Sequence, residues 1–338
     1  MTPHFLHAPI TYDGLVVETT SRCNASCGMC YQGAGAKGSD YIGDHALTVD
    51  EVRQVIADAT RVRSLRPRFH VSGGEAFIKV NDTVSLLRSA RVAGYTEVSA
   101  TTNAYWAADW FKAKAFARML RQAGLNRLEI SWDAWHQPYI APMAIDNCLR
   151  ACHAAGIDSN LRLLTTRDHS AEEALDLLDY GALGLATVLS SGPVFAVGRG
   201  AVLDRDTLYP LDDTGSCHSA LHLTVNAKGD VYPCCAGFDQ TGAALFGNVK
   251  QTPISQIADA MNHSLLLRFV VFEGISSLRP ILEACGVDDL EPVYTGICHM
   301  CWDVFSRPER VERLVRYFDE LQTRALARAL DDSAREAA

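Results

Sequence analysis

From residue 15 to residue 190, short apolar runs alternate with longer amphipathic stretches. The runs Leu15–Thr19, Arg68–Ser72, Thr96–Ala100, Arg127–Trp132, Asn160–Leu164 and about Ala186–Leu189 read as strands. Between them apolar residues recur at helical spacing. Val52, Val55, Ile56, Ala59 and Val62 follow the capping box Thr48-Val-Asp-Glu51. Further helices carry Val84, Leu87 and Ala90, then span Phe111–Gln122, then carry Ile145, Cys148, Leu149 and Cys152, and finally span Ala171–Tyr180. Gly94, Gly124, Gly156 and Gly181 stand where these helices stop, as left-handed C-caps favour.

Strands alternating with helices through short connections predict a parallel sheet. An open doubly wound sheet and a curved partial barrel both satisfy that pattern. The polar residues discriminate: Cys23, Gly73, Asn103, Asp133 and Arg162 fall at or near the C-terminal ends of successive strands. Several strands feeding one face is barrel logic, so the predicted fold class is α/β, a partial (β/α)6 TIM-like barrel. After Gly198-Arg199-Gly200 the rhythm changes. Leu221–Val225 and Val231–Pro233 flank Asn226-Ala-Lys-Gly229 as a hairpin, a helix starts near Thr252-Pro253, and a long Arg/Glu-rich helix runs from Arg307. The predicted division is an N-terminal extension over 1–14, the barrel over 15–205, a small metal-binding module of hairpin plus helix over 206–306, and a C-terminal helix over 307–338.

The 338 residues are 48% hydrophobic and 21% charged, enough for a sizeable core. A formal charge of −9 with no basic run argues against a general nucleic-acid binder. No apolar stretch is long enough to span a membrane, and the N-terminus lacks a signal-peptide pattern, so a cytoplasmic location is expected. In that compartment the eleven cysteines read as metal ligands or free thiols rather than disulfides.

Three of them form Cys23-Asn-Ala-Ser-Cys27-Gly-Met-Cys30 in a loop after the first strand. Three thiolates are one short of the usual four. The favoured reading is an iron–sulfur cluster with one iron open to another ligand. A zinc site with His45 as the nearest further donor, and buried free thiols, are the alternatives. Gly33, Gly35 and Gly38 spell a dinucleotide-type glycine pattern, but a cysteine motif precedes it and no helix opens at it, so it reads as a mobile loop. Cys217, Cys234 and Cys235 flank the hairpin, and Cys298-His-Met-Cys301 follows. Cys148 and Cys152 read as small apolar core residues and Cys285 as an ordinary thiol. His70 and His222 read as satisfied polar residues on strands.

The cysteine loop, with Met29 and Tyr31 beside its last thiol, Gly73-Gly74-Glu75 at the second strand end and the later Asn103, Ser131 and Asp133, resembles the radical S-adenosylmethionine (SAM) superfamily over about residues 15–190. The resemblance implies that Cys23, Cys27 and Cys30 hold a 4Fe–4S cluster whose fourth iron is chelated by SAM. It further implies that Gly73 and Gly74 let backbone approach the SAM amine, which Glu75 accepts, and that Tyr31 lies beside the adenine. Asn103, Ser131 and Asp133 would bind the ribose or other polar groups of SAM, and Arg162 its carboxylate. Ala76 stands where the family usually has proline.

Cys217, Cys234, Cys298 and Cys301 resemble the SPASM/twitch extension of that superfamily, which implies an auxiliary 4Fe–4S cluster; zinc is the alternative. No cysteine follows Cys301, which suggests a twitch module with one such cluster. Cys235 either replaces Cys234 as ligand or is a spare thiol by the active site. The resemblance implies hydrogen abstraction by a 5′-deoxyadenosyl radical, fed by an external one-electron reductant such as flavodoxin or ferredoxin. The short segment before the first strand and the single tetrad favour a sugar, aminocyclitol or sugar-nucleoside intermediate of antibiotic biosynthesis, altered at a carbinol carbon by dehydrogenation, dehydration or epimerisation. The alternative is a ribosomal-peptide maturase that crosslinks or epimerises residues. Candidate catalytic residues are Cys235 as hydrogen donor, Glu18 near the cluster and His136 at the barrel mouth.

Overall fold

Every predicted strand finds its neighbour in one sheet. The structure, a computed structural model, describes residues 4–6, 8–210, 215–217, 221–234 and 246–336. Strand β1 (Leu15–Glu18) is followed by a short hairpin, β2 (Ala34–Gly35) and β3 (Gly38–Ser39). Then come β4 (Arg68–Ser72), β5 (Glu97–Thr102), β6 (Arg127–Ser131), β7 (Asp158–Thr165) and β8 (Val188–Pro193). β1, β4, β5, β6, β7 and β8 lie side by side in chain order and all parallel. The helices α1 (Val49–Ala59), α2 (Val80–Val92), α3 (Trp110–Gln122) and α4 (Pro142–Ala155) connect them.

The two faces of this sheet differ in chemistry. On β7, Leu161 and Leu163 enter the main core beneath the helices, so Asn160 and Arg162 face the other way. In register with them stand Glu129 and Ser131 on β6 and Val188 and Ser190 on β8. The concave side is therefore a polar lumen. Asn160 donates to Glu129 at 2.7 Å, Ser190 donates to Asn160 at 3.0 Å, and the ring nitrogens of His70 each lie 2.8 Å from a hydroxyl, of Ser99 and of Thr101. His70 is thus satisfied, as the sequence implied. Cys148 and Cys152 are buried in the core of α4, whereas Cys285 is half-buried after its helix.

Three local expectations change. The single helix over Ala171–Tyr180 is two short ones, α5 (Ala171–Leu175) and α6 (Tyr180–Leu183). Asp179 breaks the run because its carboxylate caps α6 at the Ala182 N–H, which puts Gly181 inside a helix rather than at a C-cap. Ser190–Pro193, read as following the sixth strand, are part of β8. The Gly33–Gly38 segment is a small antiparallel hairpin folded against the cysteine loop.

The sheet and its core run on past residue 205. β9 (Leu223–Val225) adds to the free edge of β1 in parallel, and β10 (Val231–Tyr232) pairs antiparallel with β9. Helix α7 (Ile254–His263) packs Ile254, Ile257, Ala258 and Met261 into the barrel's own core. A second core gathers residues of α8 (Leu265–Glu273), α9 (Arg279–Ala284), α10 (Ile297–Phe305) and α11 (Pro308–Glu336). No helix among the described residues is long and apolar enough to cross a membrane.

Candidate active site

The loop after β1 carries Cys23 and Cys27 buried and Cys30 half-buried. Burial, then the charges of Glu75, Cys30 and Cys27, push the Cys23 thiol up to about 12. Cys30 is raised chiefly by burial. Desolvated thiols such as Cys23 and Cys30 become thiolates beside a cationic centre, and Cys27 stands on the same loop. Three of them on one loop fit a cluster that leaves one iron open.

The end of β4 is pressed onto this loop. Gly73 holds φ at +137°, and a β-carbon there would lie 2.6 Å from the Thr20 carbonyl oxygen; one on Gly74 would run into the Arg22 carbonyl. With no side chains in the way, Gly74 N–H donates to Thr20 and Glu75 N–H to Arg22, at 2.7 and 2.9 Å. The two glycines thus bring backbone against the base of the cysteine loop. Glu75 is buried, and its carboxylate accepts from Phe77 N–H, Thr102 hydroxyl and Asn103 N–H at 3.1, 2.9 and 2.8 Å. Burial still raises it to about 7 against those hydrogen bonds. Asn103 reaches the loop directly, donating from Nδ2 to Asn24 at 2.9 Å.

Asp133, buried past the end of β6, accepts from Trp135 N–H at 3.1 Å and Leu164 N–H at 3.3 Å, and lies 2.7 Å from His136 Nδ1. Burial lowers His136, but its bonds to Asp133 and to the Cys27 thiol outweigh that and raise it to about 10. The imidazole therefore stands at a cluster-loop cysteine. The Tyr31 hydroxyl lies 3.4 Å from Glu18 Oε1, and Glu18 is buried on β1. Ser131 and Arg162 are paired in register on the lumen face, and the Arg162 charge is felt at Cys298.

The second cysteine set comes from distant chain segments. Cys298 and Cys301 are one turn apart on α10. Burial and then Cys217 raise Cys298 to about 11, and burial, Cys217 and Cys298 raise Cys301. Cys234, just after β10, packs against the same core as Cys301. Cys235 lies outside the described residues. Two participants went unnoticed in the sequence. Asn24 lies between two motif cysteines. Arg199, flanked by Gly198 and Gly200, donates to the carbonyls of Gly33 and Ala34.

The radical SAM superfamily profile matches residues 17–181, and the SPASM iron–sulfur cluster-binding domain matches residues 217–302. A putative peptide biosynthesis protein, YydG of Bacillus subtilis, is 22% identical over 90% of this chain and 95% of its own. A GTP 3',8-cyclase of Rhodopirellula baltica is 27% identical over 66% of this chain and 60% of its own. The solved structure of native anSMEcpe with bound AdoMet shares the fold at TM-score 0.53 and 13% identity, covering 95% of this chain and 99% of that one. With these matches come the cofactors: a 4Fe–4S cluster, SAM and further iron–sulfur in the C-terminal domain. The chain belongs to the radical SAM superfamily and is a radical SAM enzyme with an appended SPASM domain.

Proposed function

We propose that this enzyme modifies a peptide, with Cys23, Cys27 and Cys30 holding the SAM-binding cluster and Cys217, Cys234, Cys298 and Cys301 the auxiliary one. The observation that carries the substrate reading is the similarity to YydG, a putative peptide biosynthesis protein, along nearly the full length of both chains. When bound and reduced, the cluster and SAM supply a 5′-deoxyadenosyl radical that removes a substrate hydrogen atom.

The chain's own residues bind, orient and exclude water. Gly73, Gly74 and Glu75 form the wall nearest the cysteine loop, with Asn103 behind it. Tyr31, Ser131, Asp133 and Arg162 offer an aromatic ring, a hydroxyl, a carboxylate and a guanidinium to the parts of SAM. His136, bonded to Asp133 and acting on the Cys27 thiol, is a positioning group in this scheme, and Glu18 orients Tyr31. The Arg162 charge also opposes the rise of the Cys298 thiol, so it acts on the auxiliary cysteines as well. An external one-electron donor of the flavodoxin or ferredoxin class completes the requirement.

A second reading keeps the sugar-like substrate. It draws on the lumen, whose Ser190, Asn160, Glu129 and His70 suit a hydroxyl-rich small molecule. Anaerobic incubation with SAM and a reductant, scored by 5′-deoxyadenosine release and product mass, separates the two. Release that depends on peptides, with a matching mass or stereochemical change, supports the first. Release that depends on sugars or aminocyclitols and ignores peptides overturns it.

A further inference from the structure

Arg199 follows β8, at the opposite end of the parallel series from β1; β4, β5, β6 and β7 stand between those two strands. Yet its side chain, 19% exposed, reaches into the loop that follows β1. Nη2 donates to the Gly33 carbonyl at 2.6 Å, Nη1 to Ala34 at 2.9 Å and to Cys27 at 3.3 Å, and Nε pairs with Asp40 at 2.6 Å. The Arg199 backbone N–H adds a bond to the Cys30 carbonyl at 3.0 Å.

The flanking glycines make this approach possible. Gly198 has φ +58°, and a β-carbon there would strike the Tyr31 carbonyl; one on Gly200 would strike the Phe195 carbonyl. Other bonds on the cysteine loop come from its own hairpin, where Cys23 N–H donates to Gly35, from Asn103, which donates to Asn24, and from Tyr139, whose hydroxyl donates to the Ser26 carbonyl.

We infer that Arg199 is a positioning residue: its guanidinium spans the barrel mouth, fixes the carbonyls of the cysteine loop, and lays a positive charge beside the cluster that Cys27 and Cys30 help to hold. The inference rests on reading that loop as the cluster site. Two consequences follow from the fork and the charge separately. The fork satisfies several carbonyls at once, which a lysine ammonium cannot reproduce. The charge favours the more negative, reduced form of a thiolate-bound cluster, since net charge is one of the determinants of its potential. Asp40, paired with the guanidinium, partly offsets that charge.

The test uses the reconstituted full chain and two readouts. One is the midpoint potential of the cluster whose EPR signal changes on adding SAM. The other is the rate of iron loss to a chelator. Arg199→Gln is expected to make the midpoint more negative and to release iron roughly tenfold faster or more, matching the size of the affinity loss when outer partners of a metal site are removed. Arg199→Lys is expected to keep the midpoint near the wild-type value while losing iron as fast as the Gln variant. Asp40→Asn is expected to move the midpoint the opposite way, and it decides the sign if Arg199→Gln does not fold. An unchanged midpoint together with unchanged iron release in Arg199→Gln overturns the inference, as does an Asp40→Asn shift in the negative direction. A wild-type chain that takes up no SAM-responsive cluster instead overturns the reading of the cysteine loop itself.

Discussion

The Glu75 carboxylate accepts the backbone N–H of Asn103 at 2.8 Å and so ties the end of β4 to the end of β5 beside the cysteine loop. Asn103 carries the connection onward to Asn24 at 2.9 Å. One buried carboxylate thus joins two strand ends to the loop between Cys23 and Cys27.

Glu75 gives a pH signature. Burial raises its carboxyl from 4.5 to about 7 in the folded chain. The folded state therefore binds more protons than the unfolded state between those values, and stability from this group is lost as pH rises through about 7. Denaturation of the apo-protein at pH 5 and pH 8 should show the wild type losing ground to Glu75→Gln, by a few kcal/mol at most, on the order of 3. A difference that does not change with pH would refute this account.

Gly74 is expected to tolerate no side chain. Gly74→Ala drives a methyl into the Arg22 carbonyl, costing about 3 kcal/mol or more and lowering iron content after reconstitution. Gly192→Ala on β8, where a β-carbon meets nothing within 4 Å, is the control and should stay within about 0.5 kcal/mol. Equal behaviour of the two variants in thermal melts and iron analysis would contradict the close-approach role.

Cys298→Ser should separate the two cysteine sets. Iron should fall from about eight to about four atoms per chain, while the EPR signal that responds to SAM survives. Loss of the SAM-responsive signal with the remaining iron intact would mean that the sets are assigned the wrong way round.

Cys235 offers a test of the hydrogen-donor role. If the reaction is an epimerisation that recovers hydrogen from this thiol, Cys235→Ala should still release 5′-deoxyadenosine but give little epimerised product, with deuterium incorporation from heavy water falling in parallel. Normal product and unchanged incorporation would remove Cys235 from the mechanism.

Much of this site is local in the chain, and the local part was legible. The spacing of Cys23, Cys27 and Cys30 and the strand limits Arg68–Ser72 each depend on neighbours a few residues away. The break at Asp179 was not legible, because a helix-compatible run and a capping aspartate compete over the same few positions. His136 could be placed after Asp133 by sequence, yet its contact with the Cys27 thiol depends on how the barrel curves.

By itself the sequence determined the alternation of strand and helix, the parallel sheet, and which thiols cluster within one loop. These follow from hydrophobic period and motif spacing, which are properties of adjacent residues. Only the tertiary structure decided that β9 continues the sheet beyond β1, that Asn103 reaches Asn24, and that Arg199 closes on Gly33 and Ala34. Those contacts join residues far apart in the chain. They are chosen by the burial of whole elements and by the satisfaction of polar groups left over from it, so no local pattern records them.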